Sequence, residues 1–98
     1  MPTYVSLMNL TEKGIADIKN APRRVAESVA VLEKMGCKLI SFYMLMGAYD
    51  YVGIAEAPSD EVAMAFLMLL GAGGNVRTTT LKAFSIEQLA GIIKGIPE

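Results

Sequence analysis

The chain has 98 residues, 53% of them apolar, with nine basic and ten acidic side chains, one cysteine and no histidine. That length holds one domain with a single core, residues 1–98, and the near-balanced charge, without a basic stripe or an acidic block, argues against direct nucleic-acid binding. A lone cysteine, Cys37, excludes an internal disulfide and fits a reducing cytoplasm.

The segment "TYVSLMNL" (Thr3 to Leu10) is rich in strand-forming residues and predicts the first strand. Thr11 is placed to cap a helix start. "EKGIADIKNAP" then predicts a short helix or turn that Pro22 interrupts. From Arg23 to Met35, apolar Val25, Val29 and Leu32 recur at helical spacing, and Gly36 is placed to end that helix. "KLISFYMLM" (Lys38 to Met46) and "YDYVGIAEA" (Tyr49 to Ala57) predict two strands joined by a tight turn at Gly47 and Ala48. "PSDE" opens a helix with Ser59 as cap, and that helix runs to about Leu70, where "GAGGN" breaks it. "VRTTTLKAF" (Val76 to Phe84) predicts the fourth strand. Residues 85–98 predict a C-terminal helical extension with Ser85 as cap.

The order strand, helix, strand, strand, helix, strand predicts an α+β, ferredoxin-like βαββαβ domain with an antiparallel four-stranded sheet. Strand alternation sorts two faces. Val5, Leu7, Ile40, Phe42, Met44, Val52, Ile54, Leu81 and Ala83 are expected under the helices. Tyr4, Ser6, Met8, Leu39, Ser41, Tyr43, Tyr49, Tyr51, Gly53, Thr78 and Thr80 are expected on the opposite face, with Lys82 as its only charge. A solvated face carries more charge than that. The sequence therefore predicts a homodimer whose sheets face each other around a semi-polar lumen, a dimeric α/β barrel. The helix "EVAMAFLMLL" is apolar all round, which points to burial on more than one side, with the rest covered either by the C-terminal segment or by a neighbouring subunit. The start "MPTYVSL" lacks a signal-peptide pattern, and Val62 to Val76 is too short and glycine-rich to span a bilayer, so no membrane association is expected.

The stretches "MPTYVSLMNLTEKGI", "FYMLMGAYDYV" and "NVRTTTLKAF" together resemble the GYD domain family, over Pro2 to about Phe84. The resemblance implies a dimeric α/β-barrel fold and no settled biochemical activity. A more distant similarity is to the ligand-binding domain of Lrp/AsnC transcription regulators, carried by Gly47, Tyr49 and Asp50, then Val76, Arg77, Thr78 and Thr80. That similarity implies paired sheets and a small metabolite between dimers. No helix-turn-helix precedes Thr3, so a DNA role would need a partner protein.

The ligand-binding candidates are Asp50, Tyr49, Tyr51, Arg77, Tyr43 and Tyr4. Two readings of "GAYDYV" stand side by side. In one, Gly47, Tyr49 and Asp50 form a structural turn, with Gly47 supplying backbone freedom and Asp50 accepting main-chain hydrogen bonds. In the other, Asp50 and the tyrosines form the polar end of a pocket, although alternation points Asp50 away from Tyr49 and Tyr51. Arg77 could hold a carboxylate in bidentate fashion, or pair with Glu56 or Asp50. Without histidine, the usual neutral-pH base, a structural zinc site and a Cys–His nucleophile are excluded within one chain. No metal and no cofactor is expected. The leading expectation is a small-molecule-binding or regulatory homo-oligomer, with its ligand near Asp50 and "GAGGN". The alternatives are a cofactor-independent enzyme, monooxygenase- or isomerase-like, using Tyr4, Tyr43 or Tyr51 in the lumen, and a purely structural assembly partner.

Overall fold

A computed structural model describes residues 1–98. Strands β1 (Thr3–Leu10), β2 (Lys38–Met44), β3 (Tyr51–Glu56) and β4 (Val76–Ala83) form one sheet in the order β2-β3-β1-β4. All three pairings are antiparallel. Between β1 and β2 lie helix α1 (Glu12–Ala16), a 3-10 turn at Ile18–Asn20 and helix α2 (Ala21–Lys34). Helix α3 (Asp60–Ala72) joins β3 to β4, and α4 (Ile86–Ile93) follows β4. The expected ferredoxin-like α+β topology is the one observed.

The helix starts follow from their caps. Thr11, Ser59 and Ser85 each accept a hydrogen bond from the backbone N–H three residues on, and Gln88 completes a capping box with Ser85. Pro22 does not interrupt a helix. It sits in the first turn of α2, where its missing N–H has no intrahelical partner to lose. Helix α1 approaches the chain before β4 so closely that a Cβ on Gly14 would lie 2.2 Å from the Asn75 carbonyl oxygen. Thr11 holds the same contact through its N–H, 3.0 Å from the Asn75 oxygen, and its hydroxyl, 2.6 Å from the Gly74 oxygen.

The sorting of the sheet faces is reversed in β1, β3 and β4, whereas in β2 Phe42 lies on the helix side and Ser41 and Tyr43 on the open face, as expected. Tyr4, Met8 and Tyr51 are buried on the helix side. They form two small cores, Tyr4 with Leu32, Cys37 and Ala57, and Met8 with Tyr51 and Val76. Ser6, between Tyr4 and Met8 on the same side of β1, carries its strand partners Gly53 and Thr80 to that side as well. Val5, Leu7, Val52, Ile54 and Leu81 therefore lie on the face that no helix covers. Alternation could not decide this, because both faces of β1 are apolar. In β2 a register shift between Leu39 and Ser41 adds a second complication. It lets Leu39 and Phe42 both pack inward, against the Tyr4 and Tyr51 clusters, and leaves Ile40 half exposed.

The β2–β3 hairpin exists, but its connection is not a tight two-residue turn. It spans Leu45 to Asp50, so Tyr49 lies in the loop and not in a strand. Gly47 has φ +124°, a conformation closed to residues with a Cβ, which accounts for a glycine there.

Candidate functional site

Helix α2 packs over β2 and α3 over β4, the two outer strands, and between the helices the sheet is left open. The result is a cleft of about 410 Å³ above the central strands β1 and β3. Its floor is Ser6, Met8, Tyr51 and Gly53; Ser28 of α2 and Phe66 of α3 stand on opposite walls. The space exists because small residues meet there. Gly53 and Ser6 present almost no side chain upward, and Ser28 and Ala63 extend little downward. Tyr51 is held in the floor by a tilted contact with Phe42, ring centres 5.2 Å apart. Ser6 and Thr80 share a hydroxyl–hydroxyl hydrogen bond of 2.8 Å at the floor's edge.

At one end of the cleft its lining residue Tyr4 joins a polar triad. The Tyr4 hydroxyl donates to the Asp60 carboxylate, and Lys82 Nζ sits 3.0 Å from Asp60 Oδ1 and 3.2 Å from Oδ2. The strand partner of Tyr4 is Lys82 itself, and Asp60 is the first residue of α3, so sheet register and helix start bring the three together. The Tyr4 hydroxyl is pushed up to about 12, first by its hydrogen bond to Asp60 and then by desolvation. The Asp60 carboxyl is held below its usual range by the same Tyr4 hydrogen bond and by Lys82. At the other end Arg24 is committed to Asp17: its Nη1 donates to Asp17 Oδ2 at 2.5 Å and to the Asp17 carbonyl at 2.8 Å. Burial pushes the Cys37 thiol up, which makes it a poor nucleophile at neutral pH.

The six residues singled out from the sequence do not meet in one site. Tyr4 and Tyr51 are on the helix side. Arg77 and Tyr43 lie on the open face, opposite Asn9 and Val52 respectively, and Tyr43 is 63% exposed. Arg77 pairs with neither Glu56 nor Asp50; the ion pairs are Arg23–Glu27, Arg24–Asp17 and Lys82–Asp60. Tyr49 and Asp50 belong to the hairpin loop. Asp50 does structural work there. Its N–H donates to the Met8 carbonyl at 2.8 Å, its Oδ2 accepts from the Leu10 N–H at 2.8 Å, and its carbonyl accepts from the Leu45 N–H at 2.8 Å. The loop is thus tied to the end of β1 by both backbone and side chain. No three of the carboxylate and thiol groups gather as a metal site, and no helix is long and apolar enough to cross a membrane.

Sequence reasoning placed Lys82 on the same face as Tyr4 but gave Asp60 only a capping role. The triad was legible only in part, through the cross-strand position of Lys82. The cleft had one signal, the pair Ser6 and Gly53 adjacent in the sheet and facing the same way.

Among known proteins, the GYD domain family matches residues 4–93. A Thermus thermophilus protein described as a glutamine synthetase and cystathionine beta-lyase binding protein is 30% identical over 95 residues, covering 96% of this chain and all of that one. Among solved structures, FFRP-DM1 superposes with a TM-score of 0.61 at 19% identity, over 86% of this chain and 100% of the other. The leucine response regulatory protein LrpA of Mycobacterium tuberculosis gives 0.56 at 18% identity, over 86% of this chain and 51% of that longer one. TTHA0845 of Thermus thermophilus gives 0.56 at 21% identity, over 87% of this chain and 95% of the other. At those identities the structural likenesses establish the fold.

Proposed function

The chain belongs to the GYD domain family, and from that premise we propose that it works as a regulatory binding protein, a cytoplasmic homodimer that docks on metabolic enzymes. The observation that carries this reading is the end-to-end match to a relative described as binding glutamine synthetase and cystathionine beta-lyase. Two features of the surface support it. The open sheet face carries Val5, Leu7, Val52, Ile54 and Leu81 side by side, an aliphatic patch that a second copy would cover to make the dimeric α/β barrel. Beyond it, α4 turns Ile86, Leu89 and Ile93 to solvent, with Ile96 just after it, each at least 47% exposed, and the outer side of α3 does the same with Met64 and Met68. Sulfur-bearing, flexible side chains of this kind adapt to differing partners.

The test has two arms. Native mass spectrometry at micromolar concentration reports the assembly mass and any retained metabolite; a dimer is expected, and a monomer overturns the paired-sheet assembly. Biolayer interferometry against purified glutamine synthetase and purified cystathionine β-lyase reports docking. Micromolar or tighter association with at least one enzyme is expected. Absence of binding to both overturns the enzyme-docking role.

A further inference from the structure

We propose that the cleft between α2 and α3 is a binding site for an uncharged, mainly apolar small molecule, independent of any enzyme partner. Its volume, about 410 Å³, lies in the range of small-molecule pockets, roughly 300–1,000 Å³. It is also about three times the roughly 150 Å³ that a dry cavity left by one large-to-small core substitution occupies. Packed at the density of a protein interior, about 0.74, it accepts a molecule of roughly 300 Å³. Tyr51 and Phe66 supply aromatic surface and Met8 an adaptable thioether.

The electrostatics select a neutral occupant. The charged groups at the two ends are already satisfied within the chain: Asp60 holds both Tyr4 and Lys82, and Arg24 holds Asp17. On α2, Glu27 points to Arg23 across one helical turn. An anion would find no free cation in the cleft, and Glu56, the one lining carboxylate without an ion pair, lies by strand register on the open face with Thr3 and Ile54, so a charged ligand would lose its hydration with little return. What the cleft does offer is hydroxyl chemistry. The Ser6–Thr80 pair at the floor and Ser28 on the wall can give or take one hydrogen bond from a carbonyl or hydroxyl of the ligand. The occupant is therefore a flat or elongated apolar body with at most one or two uncharged polar atoms.

Met8 is the sole methionine lining the cleft, which gives the test its readout. The full chain, labelled with 13C at the methionine methyls, is titrated with N-phenyl-1-naphthylamine, a neutral aromatic probe, and with its sulfonated counterpart 8-anilinonaphthalene-1-sulfonate. Saturable binding of the neutral probe at one per protomer is expected, with the Met8 methyl resonance shifted and the fully exposed Met46 unmoved. The sulfonate is expected to bind at least tenfold more weakly. Ser28→Phe, which fills the cleft from the α2 wall, should weaken the neutral probe at least tenfold. Should that variant unfold by circular dichroism, the Met8 shift in the unmodified chain decides alone. Probe shifts confined to Met64 and Met68, or no saturable binding, overturn the site. Equal affinity for the sulfonate overturns the neutral-ligand assignment.

Discussion

The two faces of the sheet differ in a way that runs against simple hydropathy. The covered face carries tyrosines, hydroxyls and a glycine, Tyr4, Ser6, Tyr51, Gly53 and Thr80, and its helices leave a cleft over the centre. The open face carries Val5, Leu7, Val52, Ile54 and Leu81, the better core formers. Side chains as aliphatic as these are normally found inside. Their position on the uncovered face of a single chain shows that the buried side of a sheet is chosen by where the helices connect. On the covered face, two of the polar side chains find hydrogen-bond partners: Tyr4 finds Asp60, and Ser6 finds Thr80.

That contrast can be broken at either face. Tyr51→Ala has the largest expected effect. It removes a buried ring from the floor and its contact with Phe42, and should cost about 3–5 kcal/mol of stability in urea unfolding, as aromatic-to-alanine changes in cores do. Ile54→Lys on the open face should leave the protomer folded but convert dimer to monomer in analytical ultracentrifugation. A loss of about 2 kcal/mol or more in association is expected, the scale of an interface hot spot. Should Ile54→Lys unfold the chain instead, the open face is not an interface but part of the core.

Asp50→Ala sits between the two faces and has an intermediate effect. It deprives the Leu10 N–H of a charged acceptor, for an expected cost of about 1.5–3 kcal/mol, and it should accelerate amide exchange at Leu10 with no change in probe binding. Tyr4→Phe has the smallest effect at neutral pH and shows itself in the pH dependence. The folded Tyr4 hydroxyl is raised from 10.0 to about 12, so its contribution is complete below pH 10 and is lost as pH rises through about 12. The Asp60 carboxyl is lowered, so its contribution is present above the ordinary carboxylate range and is lost as pH falls through the folded value. Tyr4→Phe should flatten the stability–pH curve at both ends, most clearly between pH 10 and 12, measured by thermal melting.

Much of the fold was legible because its signals are local. The caps Thr11, Ser59 and Ser85, the breaks at Gly36 and "GAGGN", and the spacing of Val25, Val29 and Leu32 each act within a few residues of themselves. Gly47 was legible for the same reason, since its φ of +124° is a property of one residue. Of the two readings of Asp50, the geometry supports the structural one, whose requirement is only a nearby backbone; the partners proved to be Met8 and Leu10 on a neighbouring strand. Tyr43 was placed on the right face, but its neighbours and those of Arg77 could not be named, because strand residues acquire neighbours only through register.

By itself, then, the sequence determined the elements, their order and hence the antiparallel ferredoxin-like sheet, because capping, turn chemistry and periodicity are short-range effects. It also determined the excess of apolar surface that a lone domain does not cover. Only the tertiary structure decided which sheet face the helices cover, since both faces of β1 are apolar and the shift between Leu39 and Ser41 changes the parity of β2. Only it decided that Tyr4, Asp60 and Lys82 meet, or that small residues on four separate elements leave a cleft between them. Those outcomes depend on packing between segments distant in the chain, where no local preference reaches.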